Sequence, residues 1–144
     1  MTSFEKTILV EYSSSQMFNL VNNIEKYPEF LPWCASAVIL NRTDAHVDAS
    51  LEIDFNGIKQ SFSTRNNTRL RPNMMEMTLV NGPFKHLFGR WEFINLAENA
   101  CRVNFSITYA FSNRVLNNLI GPVFKRITSS LVDAFVKRAN DLYG

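Results

Sequence analysis

The chain predicts an α+β domain. A curved antiparallel sheet of about seven strands carries two short helices after its first strand and one long C-terminal helix packed across it. Three observations support this. Period-two alternation recurs between short turns from Phe4 to Phe111. One face of those strands is apolar and the other polar, the pattern of a sheet covered on one side only. From Asn113 to Tyr143 the period becomes three and four. Leu116, Leu119, Ile120, Val123, Phe124, Ile127, Leu131, Ala134, Phe135 and Leu142 share one helix face there, with Arg138 lending its long stem. At 1.5 Å per residue this stretch makes a rod of roughly 45 Å. Each large apolar side chain gains roughly 1.5–3 kcal/mol on full burial, so the stripe demands a partner surface. The sheet is that surface.

Taken in order, Phe4, Lys6, Ile8, Val10 and Tyr12 alternate as a first strand. Ser13–Ser15 offers an N-cap, and Met17, Phe18, Leu20, Val21 and Ile24 give a short amphipathic helix. Pro28 and Pro32 bracket Tyr27–Trp33 and allow only a turn of helix there. Ala35–Thr43 and His46–Phe55 read as strands, the second with Val47, Ala49, Leu51, Ile53 and Phe55 inward. Asn56-Gly57 marks a tight hairpin into Ile58–Arg69, where Ile58, Gln60, Phe62 and Thr64 share a face. Arg71-Pro72-Asn73 turns the chain into the alternation Met75, Met77, Leu79. Asn81–Gly89 reads as a loop, followed by a strand through Trp91 and Phe93 and another through Val103, Phe105, Ile107, Tyr109 and Phe111. Gly121-Pro122 predicts a kink or break that divides the last helix near its N-terminal third.

Composition narrows the classes. At 144 residues, 46% of them hydrophobic, with twelve Phe, the chain is expected to form a single globular domain over residues 1–144. A net charge of +2 permits an anionic partner without demanding one. Cys34 and Cys101 form no CxxC, and His46 and His86 stand far apart, so no metal site is expected. The cysteines read as free thiols in a reducing cytoplasm. The N-terminus lacks a signal-peptide pattern, and no apolar run approaches the ~18 residues of a membrane span. No nucleophile–base pair, phosphate loop or HExxH occurs, so no catalytic residue is assigned and an enzyme is not expected.

The order of elements resembles the helix-grip fold of START-like, polyketide-cyclase-like domains. Four motifs are more specific: Tyr27-Pro28-Glu29-Phe30-Leu31-Pro32-Trp33-Cys34; Phe62-Ser63-Thr64-Arg65; Asn81-Gly82-Pro83-Phe84-Lys85 with Leu87, Gly89, Trp91 and Phe93; and Cys101-Arg102 with Phe105. These resemble the coenzyme Q-binding START-domain family, and within it the bacterial ribosome association toxin branch. His86 stands where a lysine is usual. The resemblance implies two functions. One is binding ubiquinone or a similar polyisoprenoid lipid in support of respiration, in the cytoplasm or peripheral to the inner membrane. The alternative is binding the large ribosomal subunit and blocking subunit joining. Neither implies a required cofactor or a DNA partner.

The expected cavity lies between sheet and last helix, walled by Phe62, Met75, Met77, Trp91, Phe93 and Tyr109 from strands and Leu119, Val123, Phe124 and Ile127 from the helix. Phe105 is a further inward candidate, and Gln60, Thr64 and Tyr109 are polar candidates for a quinone carbonyl. Phe30, Leu31 and Trp33 either rim the cavity mouth or plug one open end. Phe84, Leu87 and Phe88, between Gly82 and Gly89, form either the underside of a lid or a strand connection that buries its own hydrophobes. For a ribosomal partner, Arg65, Arg69, Arg71 and Lys85 are the expected contacts, the three arginines sharing strand parity.

Overall fold

The alternating segments become one continuous sheet. The computed structural model describes residues 1–144. β1 (Thr2–Val10) leads into α1 (Ser14–Asn22) and a 3₁₀ helix (Ile24–Glu29). β2 (Cys34–Arg42), β3 (His46–Phe55), β4 (Ile58–Asn67), β5 (Met74–Asn81), β6 (Phe84–Ala97) and β7 (Ala100–Phe111) follow as a meander, and α2 (Arg114–Tyr143) closes the chain. The order across the seven strands is β1-β7-β6-β5-β4-β3-β2, each pair antiparallel. The chain leaves β1 through α1 and returns only at β7, so β1 sits at one edge and β2 at the other.

Local chemistry sets the boundaries. Ser13 caps α1 through a reciprocal box: its hydroxyl accepts from the Gln16 N–H at 3.1 Å, and Gln16 Oε1 accepts from the Ser13 N–H at 2.9 Å. Pro28 sits inside the 3₁₀ helix, which ends within two residues of it. Asn56 and Gly57 take φ of 51° and 81°, the left-handed pair that a two-residue hairpin requires. The turn after β4 contains a cis Arg71–Pro72 bond.

Two elements differ from expectation. Residues 84–88 are not a loop or lid but the first third of β6, a 14-residue strand, and only Gly82-Pro83 separates it from β5. A register shift between Phe84 and His86 lets both Phe84 and Leu87 turn inward, where they are buried. The last helix is neither broken nor divided: it runs 30 residues through Gly121 and Pro122. Pro122 is exposed, so its ring points to solvent and its missing N–H removes one ladder bond on the open side.

Thirty-two buried hydrophobic residues form one core cluster. α2 contributes Ile120, Val123, Phe124, Ile127, Val132, Phe135 and Ala139 to it. Phe124 lies 4.7 Å from Tyr109 and 6.2 Å from Phe62, ring to ring, while Phe135 sits edge-on to Trp91 at 5.2 Å. The predicted stripe holds in its centre and fails at its ends. Leu119 is 53% exposed beside a fully buried Ile120, so it lies off the buried side of α2, and Leu142 in the last turn is exposed to the same degree. Arg138 lays its guanidinium 5.0 Å over the Phe30 ring and pairs with Glu29 at 3.0 Å.

Candidate functional site

Between the curved sheet and α2 lies a cavity of about 70 Å³. Eighteen residues line it, fifteen of them hydrophobic. β3 and β4 supply Ala49, Leu51, Phe62, Thr64 and Asn66; β5 to β7 supply Met77, Leu87, Trp91, Phe105 and Ile107. α2 supplies Phe124, Ile127, Thr128, Leu131 and Phe135, and Ile24, Tyr27 and Trp33 close one end. Three polar side chains interrupt this wall, Thr64 and Asn66 from β4 and Thr128 from α2. Thr64 Oγ1 donates to Asn66 Oδ1 at 2.9 Å, and Thr128 Oγ1 donates to the Lys125 carbonyl at 3.1 Å. The Thr128 hydroxyl also shares a hydrogen bond with the Tyr109 phenol, which opposes the burial-driven rise of that phenol.

The wall brings together some expected residues and not others. Trp33, Phe62, Thr64, Met77, Trp91, Phe105, Phe124 and Ile127 line the cavity. Met75, Phe84, Phe93, Tyr109 and Val123 are buried but pack into the surrounding core rather than onto the wall. Gln60 is half-buried and off the wall. Leu31 is buried and off the wall, and Phe30 sits edge-on to Tyr27 and Phe135, also off the wall. Leu119 points to solvent. Phe88 belongs to the opposite face of the sheet, since its neighbours Leu87 and Gly89 take the inward register. Asn66, Thr128, Leu131 and Phe135 went unassigned as wall residues. Asn66 was legible, because it continues the parity of Phe62 and Thr64.

Titration chemistry on the wall is quiet. Tyr27 is the one ionisable wall residue; its hydroxyl donates to the Val21 carbonyl, and burial pushes the phenol far above its ordinary range. Cys34 and Cys101 are free and buried. Burial, with the Glu52 carboxylate second, pushes the Cys34 thiol up to about 11, and burial raises Cys101. Neither is a thiolate at neutral pH, so neither is a nucleophile. His46 and His86 both lie outside the cavity, beside Asp48 and Thr108 respectively. No three His, Cys, Asp or Glu side chains converge as a metal site, and no helix is long and apolar enough to cross a membrane.

The cationic candidates separate. Arg65 forks onto Asp48 with contacts of 2.8 and 2.9 Å on the outer face, which holds the Asp48 carboxyl below its usual range. Arg69 and Arg71 stand exposed in the adjoining turn, the latter donating to the Asp44 carbonyl at 3.0 Å. Lys85 is elsewhere, at the start of β6 near Arg114.

A curved antiparallel sheet gripping one long helix around an apolar cavity defines the helix-grip, START-like class of binding fold. The chain belongs to the family described as polyketide cyclase/dehydrase and lipid transport, whose profile matches residues 10–136. It is 40% identical to the ribosome association toxin RatA of Vibrio cholerae, over 100% of this chain and 99% of that one. A more distant relative, the mitochondrial coenzyme Q-binding protein COQ10 homolog B of Xenopus laevis, is 22% identical over 98% of this chain and 59% of its own length. Among solved structures, the Zhui aromatase/cyclase of Streptomyces sp. R1128 superposes with a TM-score of 0.83, covering 96% of this chain and 93% of its own, at 14% identity. That last likeness is one of fold alone.

Proposed function

We propose that this protein acts by associating with the ribosome, binding the large subunit and opposing subunit joining. The observation that carries the reading is the end-to-end 40% identity with a ribosome association toxin. The cavity weighs the same way. Ligand pockets for molecules of drug size occupy roughly 300–1,000 Å³, and 70 Å³ is far too little for a polyisoprenoid quinone in this conformation. The reading assigns the whole chain to one binding domain, working in the cytoplasm where ribosomes are, without catalysis. A wall whose one ionisable group is a phenol held neutral supports binding rather than acid–base chemistry. Sedimentation of ribosomes with purified protein tests it. Cosedimentation with large subunits and depletion of joined ribosomes is expected; absence of both overturns it.

A second reading has one specific support. The nearly all-apolar wall, interrupted by Thr64, Asn66 and Thr128, has the chemistry of a site for a hydrophobic molecule carrying a carbonyl. The similarity to a coenzyme Q-binding protein suggests a quinone or related lipid, with peripheral membrane contact during exchange. Mass spectrometry of organic extracts, with titration of a short-tail ubiquinone analogue, decides this. No copurifying lipid together with no saturable binding removes it.

A further inference from the structure

The outer face of the sheet is polar by strand parity, and Phe88 is the one Phe, Tyr or Trp among the outward positions of β3 to β7. Two adjacent cross-strand rows frame it. One runs Asp48, Arg65, Thr78, Phe88, Thr108; the next runs His46, Asn67, Glu76, Arg90, Ser106. Between them opens a groove of about 300 Å³, bordered by Arg65, Asn67, Arg69, Thr78 and Phe88. The acidic groups in these rows are already satisfied. Arg65 holds Asp48 at 2.8 Å, and Arg90 holds Glu76 at 2.7 Å while lying 5.7 Å from the centre of the Phe88 ring. Arg69 enters no ion pair, and Arg71 is held only by a backbone carbonyl of the facing turn, whose one carboxylate is Asp44. Asn67 Oδ1 accepts from the Arg69 N–H at 3.0 Å, which leaves the Asn67 amide N–H groups as donors at the groove.

We propose that this groove binds an unpaired nucleotide of ribosomal RNA. The base stacks on Phe88, extending the Arg90–Phe88 contact; Asn67 meets its edge; Arg69 and Arg71 take the flanking phosphates. An aromatic ring on a β-sheet flanked by arginines is a stacking platform for single strands. A duplex hides its base faces from such a ring. An acidic peptide would gain the two arginines but nothing from Phe88. The inference rests on the ribosome reading above and specifies its partner chemistry.

Fluorescence anisotropy with a labelled single-stranded RNA of mixed sequence, and with its annealed duplex, tests the groove. Wild type is expected to prefer the single strand. Phe88→Leu keeps bulk without a π face and is expected to weaken binding about tenfold or more, while Phe88→Trp retains it. The double variant Arg69→Glu, Arg71→Glu is expected to weaken binding and to flatten the slope of log affinity against log salt by about 1.4, from two lost phosphate contacts. Circular dichroism confirms that each variant is folded. Equal binding by folded Phe88→Leu, or duplex binding as tight as single-strand binding, overturns the proposal. Ribosome sedimentation run in parallel separates the two ideas. Cosedimentation without RNA binding means a protein partner: the groove proposal falls and the ribosome reading stands. Phe88-dependent RNA binding without cosedimentation removes the ribosome as the source of the strand, and the ribosome reading and the assignment of the groove to ribosomal RNA both fall.

Discussion

Gly82 is held by space and by backbone. Its φ is 150°, and a Cβ there would sit 2.6 Å from Phe62 Cβ and 3.2 Å from Phe62 Cα, neither of which can move without moving β4. Gly82→Ala is therefore expected to cost about 2–4 kcal/mol, combining backbone strain with overpacking, as a fall in the urea midpoint. Gly89 looks similar in sequence and is not: the one close approach its Cβ would make, at 2.5 Å, is to the terminal methyl of the flexible Met77 side chain. Cys34 gives a pH prediction. Its folded value is raised above that of the unfolded thiol, so the protonated form stabilises the fold fully below the unfolded value, and that contribution is lost as pH rises through the folded one. Stability is expected to fall between about pH 9 and 11, the window set by the ordinary thiol value and the folded value of Cys34, by on the order of 1–3 kcal/mol. Urea melts at the two ends of that window, with Cys34→Ala showing a smaller fall, check it. Single residues also mark where sequence ceased to be legible. Phe88 and Leu87 are both large and apolar, and composition does not say which one faces in. Only the register shift after Phe84 decides it. Leu119 fits the apolar spacing but is exposed, while its neighbour Ile120 takes the buried position.

At the scale of elements, alternation was sufficient for β3, whose limits His46 and Phe55 match the reading, and for the inward set of β7. It failed for β6 because Gly82, Pro83 and Gly89 carry loop chemistry, while pairing of residues 84–89 with β7 overrides that local preference. α2 shows the same override. Intrinsic propensity breaks a helix at Gly121-Pro122, but Ile120, Val123 and Phe124 are buried on both sides of the proline and hold the turns in line. The proline still removes one hydrogen bond. Pro122→Ala restores a donor at an exposed position, against a smaller loss of unfolded-state restriction. A gain of about 1–2 kcal/mol in unfolding free energy is expected, read from thermal or urea denaturation. No gain would mean that α2 already bends to satisfy the Asn118 carbonyl by another route. A hinge at this point is not needed to explain the sheet–helix packing.

For the whole molecule, the fold was legible because the amphipathic sheet and helix are each other's only large apolar partner. The place of the cavity was legible as well, but its size was not, since its volume is the small remainder of how closely sheet and helix meet, a quantity no periodicity encodes. The geometry also places the two candidate activities on opposite sides of one sheet: an apolar space under α2, and a polar groove with Phe88 on the outer face. That separation is testable with Phe135, which is 1% exposed, lines the cavity and packs on Tyr27, Phe30 and Trp91. Phe135→Ala is expected to cost about 3–5 kcal/mol, leaving a domain of ordinary stability folded in the cold. The vacated ring volume joins the existing cavity. Benzene, which occupies apolar cavities of about 150 Å³, should then raise the melting temperature of the variant and leave wild type nearly unchanged. Ribosome cosedimentation by the cold, folded variant should equal that of wild type, because every residue of the outer groove is untouched. Loss of cosedimentation in a variant shown to be folded would mean instead that the state of the cavity is read out on the surface, and that lipid occupancy and ribosome binding are two ends of one linkage.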